Sequence, residues 1–325
     1  MTGAVIGTGY MGKTHAAIFK PLTDRLLLCS NDLPTGQALA AELDATFYND
    51  YTQLLEKEKP DFISVCLPTF LHFSAVQSAL RNGIPVLCEK PFTLDENSAL
   101  ALVTLSQETG TPLMVAHCLR FSRPYAYLKK VLREGTFGPL KSLHMYRNSP
   151  KPNWSVGNWF ASTQRSGGII RDLHIHDTDM AVNLLGVPKA VYTSATECSS
   201  ASVFDYGKNL TVTAEASWRS ASAFPFSAGF DAVFEKACLV YANEVLTLYE
   251  DSRITLSPED APLFPELTDS DPMKNELRYF LRCITCSTAP ALCPPEESLQ
   301  TIFLSCAQSR SAESGCFETI PFPSL

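Results

Sequence analysis

Short unbroken apolar runs alternate with amphipathic stretches through the first 118 residues. Ala4–Ile6, Leu26–Cys29, Phe62–Cys66, Val86–Cys88 and Leu113–Ala116 read as strands. Between them Met11–Phe19, Leu71–Leu80 and Leu94–Ser106 read as helices, the last opened by a candidate capping box from Thr93 to Glu96. A further helix follows Pro34, with Ala38, Leu39, Ala41 and Leu43 as its packing residues. Continuous rather than alternating runs are expected of strands covered on both faces. Strand–helix repetition of this kind predicts an α/β domain over residues 1–118, a Rossmann-type doubly wound parallel sheet.

The pattern changes after residue 120. A helix is predicted from Pro124 to Arg133, ending at Gly135, then a strand over Leu140–Arg147. Residues 148–168 are rich in Asn, Ser, Pro, Gly and Trp and read as a long loop, and Asp172–Leu185 reads as one helix. Ala190–Thr196, Leu210–Trp218, Ala228–Phe234, Cys238–Tyr241 and Glu244–Tyr249 read as strands, followed by helices near Met273–Cys283 and Glu296–Ser309. A run of strands and then of helices predicts a second, α+β domain with an antiparallel sheet over residues 119–325. Two domains also suit a chain of 325 residues, since one core stops growing at roughly 250–300.

Composition removes several function classes. With 45% hydrophobic and 18% charged residues, large-scale disorder is excluded. The net charge is -8 and Lys129, Lys130 and Arg133 read as one solvated helix face, which speaks against nucleic acid and anionic membranes as partners. The opening segment has no basic stretch before an apolar one, and no run approaches the roughly 18 apolar residues of a membrane span. Eleven cysteines in no disulfide-like rhythm predict a reducing, cytoplasmic location. Cys283 and Cys286 form a single CxxC inside a helical pattern and read as two core thiols.

Candidate chemistry begins with Gly7, Thr8, Gly9, Tyr10, Met11 and Gly12, a GxGxxG set between the first strand and the first helix. Only a residue without a Cβ lets the backbone come so close to a pyrophosphate, and the helix start supplies N–H groups and a positive dipole end. Asp32 stands about 20 residues on, where a carboxylate accepts from the ribose hydroxyls and repels a 2′-phosphate. NAD is therefore expected, with NADP as the alternative.

Two more stretches carry chemistry. Cys88-Glu89-Lys90-Pro91 follows a strand directly, at the edge where open α/β sheets bind ligands. A lysine there can hydrogen-bond a substrate oxygen and favour alkoxide charge, and the bond before Pro91 is one where a cis peptide is affordable. The second is Gly167-Gly168 followed by Asp172, His174, His176, Asp177 and Asp179. On a helix Asp172 and His176 share a face, and a carboxylate beside an imidazole suits proton transfer near neutral pH. No metal is expected, because the two histidines of a helix diverge. In the loop, Asn153, Trp154, Asn158 and Trp159 suit a polyol, and Arg120 and Arg147 suit either an anionic group or a structural ion pair.

With these residues in hand, the sequence resembles the Gfo/Idh/MocA oxidoreductases (glucose–fructose oxidoreductase, inositol dehydrogenase and relatives). Pro68-Thr69-Phe70-Leu71-His72, Glu89-Lys90-Pro91, Arg120-Phe121 and the Gly-Gly…Asp172…His176 stretch carry the resemblance, along with the closing helix. It implies an N-terminal Rossmann domain and a C-terminal domain with an open, mostly antiparallel sheet, whose outer face forms homodimers or homotetramers. It implies that Pro68, Thr69, His72 and Glu89 line the nicotinamide-ribose side. Lys90 would touch nicotinamide and substrate, and His176 would be the general base, supported by Asp172. The sequence departs from the family pattern at Thr69, often Asn there, in having two glycines rather than three before Ile169, and in adding His174.

The expected activity is NAD(P)-dependent interconversion of a secondary hydroxyl and a ketone on a sugar, sugar derivative or cyclitol. Arg120, Asn153, Trp154, Trp159 and His176 are the substrate candidates. Two alternatives stay open: tightly bound NAD used for transient oxidation in glycoside cleavage or epimerisation, and a non-catalytic dinucleotide-sensing regulator. His174 stands beside His176 as a rival base.

Overall fold

The structure, a computed structural model, describes residues 1–152, 156–256 and 267–322. The described chain forms two compact units. The first comprises Met1–His117 and Met273–Leu299, with a short piece of the loop 148–168; the second holds most of the remainder.

The first unit is built on β1 (Thr2–Ile6), α1 (Tyr10–Phe19), β2 (Arg25–Cys29), α2 (Leu33–Glu42), β3 (Thr46–Tyr48), α3 (Tyr51–Glu58), β4 (Phe62–Val65), α4 (His72–Arg81), β5 (Val86–Glu89), α5 (Glu96–Thr109) and β6 (Leu113–Ala116). All its strands are parallel, in the order β3-β2-β1-β4-β5-β6. β4, β5 and β6 are buried along their whole length, as unbroken apolar runs require. The order reverses between β1 and β4, so the crevice of this doubly wound sheet opens at the C-terminal ends of those two strands.

Three local expectations are corrected. β3 and α3 were not legible: β3 is a three-residue strand, and α3 buries only Leu54 and Leu55. The capping box gives way to a simpler cap, because Asp95, not Thr93, is the N-cap of α5 and accepts from Ser98 N at 2.8 Å. Residues 273–299 pack with the first unit: Phe280 meets Phe62 edge-on at 5.8 Å, and the Cys293 thiol donates to Val115 O at 3.2 Å.

The second unit contains α6 (Arg123–Glu134), β7 (Leu140–Pro150), α7 (Thr163–Ser166), α8 (Gly168–Asp172), α9 (Ile175–Leu185), β8 (Ala190–Ala195), β9 (Ser199–Asp205), β10 (Thr211–Arg219), β11 (Ser227–Phe234), β12 (Cys238–Ala242), β13 (Val245–Tyr249) and β14 (Arg253–Leu256). After α10 (Pro272–Thr285) and α11 (Pro295–Ser314), β15 (Glu318–Thr319) adds an edge strand beside β8. The sheet order is β14-β13-β12-β11-β7-β10-β9-β8-β15, with β7 and β10 parallel and the other neighbours antiparallel. One face packs on a core that includes Tyr125, Leu128, Met145, Met180, Phe204, Phe230 and Leu304. On β9 residues alternate exposed and buried, and its other face carries Ser199, Ala201, Val203 and Asp205.

β9 escaped sequence reading because two of its three inward positions, Ser200 and Ser202, are serines, with Phe204 the third. Each serine is satisfied in the core: Ser200 Oγ meets His174 Nδ1 at 2.6 Å, and Ser202 Oγ accepts from Gln308 Nε2 at 2.8 Å. The expected helix Asp172–Leu185 is also corrected. Asp172 closes α8, Leu173 and His174 break the run, and α9 starts at Ile175.

Candidate functional site

In the first unit the glycine loop joins β1 to α1. Gly7 has φ +102°, and a Cβ there would lie 2.4 Å from Cys66 O; one on Gly12 would lie 1.9 Å from Gly7 O. Both glycines are demanded by the fold itself. Gly9 is different: an added Cβ meets nothing within 4 Å. The protein places no steric demand on that residue, so the demand for a bare backbone comes from what approaches it. Among the described residues no side chain caps α1, and a helix start of this kind suits an anion. Thr8 is buried in the loop, Met11 is half-buried and Tyr10 lies exposed at its rim.

Asp32 follows β2 and is the N-cap of α2. Its Oδ1 accepts from Thr35 N at 3.3 Å and its own N–H donates to Ser30 Oγ at 3.2 Å. These bonds orient the carboxylate at the crevice end of the strand next to β1. The residues present therefore fit a dinucleotide, with the pyrophosphate at the start of α1 and the adenosine ribose at Asp32.

At the end of β4, Pro68 precedes a short 3-10 turn, Thr69–Leu71. Thr69 is buried, and Phe70 packs edge-on against Trp159 with ring centroids 6.4 Å apart. His72 is a strut rather than a lining group. Its Nε2 lies 2.8 Å from Leu67 O and its Nδ1 2.9 Å from Pro91 O, which pins the Pro68 turn to the segment after Lys90. Burial lowers its pKa against the pull of those carbonyls, so the ring is neutral at pH 7 and donates to one of them at a time.

Lys90 is half-buried at the end of β5, and its bond to Pro91 is cis. Its backbone N–H donates to Glu89 Oε2 at 3.0 Å. Glu89 was expected on the ribose side. It is instead 6% exposed and turned inward, with Oε1 3.1 Å from His15 Nε2. His15 was not singled out in the sequence. A histidine three residues past the last loop glycine, on the apolar face of a helix, is the one local sign of it.

In the second unit Asp172 ends α8 and His176 lies in the first turn of α9; both are half-buried. His174 is wholly buried, its Nδ1 held at 2.6 Å by Ser200 Oγ, and burial followed by the Arg147 charge pushes its pKa down to about 3. A base must reach the proton it takes, and of the two rings His176 is the more accessible.

The inward face of α9 is acidic and neutralised. Arg147 donates to Asp177 through Nε at 3.0 Å and through a terminal nitrogen at 3.1 Å. Arg120 donates to Asp179 at 2.9 and 2.7 Å, and Thr301 adds a hydroxyl at 2.9 Å. Both arginines are structural, and Arg120, expected against substrate, has no guanidinium face to offer one. Asn153 and Trp154 lie outside the described residues, as does the side chain of Asn158. Among the described residues no three of His, Cys, Asp and Glu form a metal-binding group, no disulfide joins any of the eleven cysteines, and no helix is long and apolar enough to cross a membrane.

The depressed His174 pKa carries a pH prediction. Unfolded, the ring titrates near 6.5; folded, near 3. Between those values the unfolded chain binds more protons, so stability falls as pH drops below 6.5, by up to about 1.4 kcal/mol per pH unit. Thermal melts from pH 7 to pH 4.5 are expected to show that decline, and His174→Gln to flatten it. Parallel curves for the two proteins would contradict a buried neutral ring.

A doubly wound sheet with an uncapped glycine loop at its switch point, followed in the chain by a large mixed sheet, defines a two-domain protein of the dinucleotide-fold oxidoreductase class. Residues 1–117 match the family described as "Oxidoreductase family, NAD-binding Rossmann fold", and residues 125–240 match the "GFO/IDH/MocA C-terminal domain". The chain belongs to the Gfo/Idh/MocA oxidoreductase family. It is 31% identical over 183 residues to a 2,7-anhydro-N-acetylneuraminate hydratase of Mediterraneibacter gnavus, a match covering 56% of this chain and 49% of that one. It is 30% identical over 187 residues to an inositol 2-dehydrogenase of Rhizobium meliloti, covering 56% and 54%. The chain spans about half the length of the curated relatives it matches. Among solved structures, levoglucosan dehydrogenase in complex with NADH and levoglucosan superposes with a TM-score of 0.86 at 18% identity, covering 99% of this chain and all of the other. An oxidoreductase from Agrobacterium radiobacter, in complex with NAD+, L-tartaric acid and magnesium, gives 0.84 at 20%, covering 98% of each chain. Both likenesses are of fold.

Proposed function

We propose that the protein is an NAD-dependent oxidoreductase that interconverts a secondary hydroxyl and a ketone on a sugar, sugar derivative or cyclitol. The observation that carries this reading is the shared sheet edge in the first unit: the glycine loop, Asp32 and the Lys90 turn all follow C-terminal strand ends of one parallel sheet. The nicotinamide, when bound, takes or gives the hydride. The chain's own residues do the rest. Lys90 holds the substrate oxygen by charge and hydrogen bond, which favours the alkoxide character of the transition state. His176 takes the hydroxyl proton in oxidation and returns it in reduction, and Asp172 orients that imidazole. The edge-on Phe70–Trp159 pair, whose Phe70 lies in the turn that Thr69 opens, offers apolar ring surface to a sugar. Relatives named inositol 2-dehydrogenase and D-glucoside 3-dehydrogenase support the substrate class.

A second reading keeps the same chemistry with the cofactor retained: transient oxidation that permits another step, such as glycoside cleavage or epimerisation. It is favoured by the two relatives named 2,7-anhydro-N-acetylneuraminate hydratase. A purely dinucleotide-sensing role fits less well, because Lys90, Asp172 and His176 are all present. In this reading the protein is cytoplasmic and assembles as a dimer or tetramer through the open face of the second sheet, where Val203 is 41% exposed.

The deciding experiment is a panel of sugars, anhydrosugars, sugar acids and cyclitols, followed both for NADH absorbance and for product. Stoichiometric NADH supports the dehydrogenase. Product without net NADH supports the transient cycle. Neither signal, with NADH bound, refutes both.

Asp32 sets the cofactor preference within this reading. Asp32→Ala removes the ribose acceptor and the repulsion of a 2′-phosphate. NAD affinity is expected to fall about tenfold and the NAD-to-NADP preference to narrow by more than that. Unchanged affinities for both nucleotides by calorimetry would remove Asp32 from the site.

A further inference from the structure

Beneath the Lys90 turn, polar groups from three elements of the first unit meet in an otherwise apolar place. His15, on the helix that follows the glycine loop, is fully buried beside Ala16 and Phe19. Its Nδ1 lies 2.8 Å from Ser64 Oγ on β4. Its Nε2 stands 3.1 Å from Glu89 Oε1, as an ion pair rather than a well-aligned hydrogen bond. Glu89 Oε2 accepts the Lys90 backbone N–H at 3.0 Å. Ser64 Oγ is also 3.6 Å from Cys66 Sγ.

Both contacts of the ring can be met by an imidazolium. An imidazolium has two N–H donors and no acceptor, a neutral ring has one of each. With both protons on, Nδ1–H donates to Ser64 Oγ, the Ser64 hydroxyl turns to Cys66 Sγ, and Nε2–H faces the carboxylate. Burial works against charge on both partners. At His15 it is outweighed by Cys66 and Glu89, which raise the pKa well above 6.5; at Glu89 it is outweighed by His15 and Lys90, which hold the carboxyl below its usual value. The other groups that feel Glu89 are His72 and Cys88, and the Phe19 ring closes the pocket edge-on at 6.2 Å from His15.

Stability alone gives little reason for this arrangement. Replacing both members of a buried ion pair by apolar residues is often neutral or stabilising, so the packing of α1 does not by itself call for the pair. What the pair does provide is a link between the helix that receives the pyrophosphate and the backbone of Lys90. We propose that His15 is a positioning residue for Lys90: as a buried cation it fixes the Glu89 carboxylate, which holds the Lys90 amide and so ties the glycine-loop helix to the ammonium-bearing turn. This rests on the reading of Lys90 as the group that meets the substrate oxygen.

Three measurements test it on the full chain. In wild type, the nitrogen-15 spectrum of His15 is that of a doubly protonated ring at pH 7.5; a neutral ring overturns the proposal. In His15→Leu the Lys90 amide proton shifts upfield and exchanges about tenfold faster, while NADH affinity measured by fluorescence stays within about threefold. An unmoved Lys90 amide also overturns it. His15→Gln, neutral but polar, gives the same comparison if the leucine variant does not fold.

The third measurement is the pH profile of turnover. Without its partner, buried Glu89 titrates higher than in wild type, because the burial that disfavours its charge is no longer offset by His15. His15→Leu therefore loses about tenfold to a hundredfold in kcat, with KM little changed, and gains an ionisation absent from wild type. In His15→Leu/Glu89→Gln that ionisation disappears. Its persistence in the double variant, or its absence from the single one, refutes the link. A protein that shows the imidazolium and the amide shift yet turns over no sugar refutes the dehydrogenase reading and leaves the positioning of Lys90 standing.

Discussion

Lys90→Met is expected to lower kcat by about a thousandfold and to leave NADH affinity within a few-fold of wild type. Methionine keeps the length of the side chain and removes its charge, so the packing of the half-buried stem survives. In the proposed reading, what is lost is a hydrogen-bond donor and a positive charge at the oxygen that becomes alkoxide-like in the transition state. Removal of one such donor costs roughly a hundredfold to a thousandfold in kcat, and the ammonium charge puts Lys90 at the upper end of that range. On that same reading the pyrophosphate and ribose contacts lie in the glycine loop and at Asp32, which the substitution does not touch. Steady-state kinetics on the best substrate of the panel, with NADH titrations alongside, read both halves of this expectation. Retained turnover would move the chemistry away from the β5 edge. A parallel collapse of NADH binding would make Lys90 a cofactor ligand and nothing more.

His176→Asn is the second large effect. Asparagine fills much of the imidazole volume and keeps a polar tip, but it cannot take a proton. General-base catalysis contributes about a hundredfold to ten-thousandfold, so kcat is expected to fall by about that amount, more steeply below pH 7 than at pH 9, where hydroxide relieves part of the need for a base. His174→Gln is the matched control. Its ring is buried and held by Ser200, so its replacement is expected to change thermal stability and leave kcat within a few-fold. The reverse pattern, with His174→Gln inactive and His176→Asn active, would reassign the base. Asp172→Asn is expected to fall between the two, because it leaves the imidazole in place and weakens only its orientation and basicity.

The contrast between these histidines marks the boundary of what the sequence reveals. The His174–His176 pair is plain in the chain, but its reading assumed one helix from Asp172. The chain breaks at Leu173 and His174, which turns the first ring into the core and the second toward α9's first turn. Arg120 and Arg147 show the same limit. Their partners, Asp179 and Asp177, lie 59 and 30 residues away in sequence, and nothing local to either arginine names them. His15 was hidden for the same reason, since Ser64 and Glu89 come from strands 49 and 74 residues further on.

Strand–helix alternation, the glycine loop, the position of Asp32 after β2 and that of Lys90 after β5 were all written in the sequence itself. Each depends on a few neighbouring residues: a continuous apolar run buries a strand on both faces, and a missing Cβ opens the backbone to a ligand. The tertiary structure alone decided which charged groups are spent on one another and which stay accessible. Pairing of side chains across strands and helices is a property of three-dimensional distance, and chain separation carries no record of it.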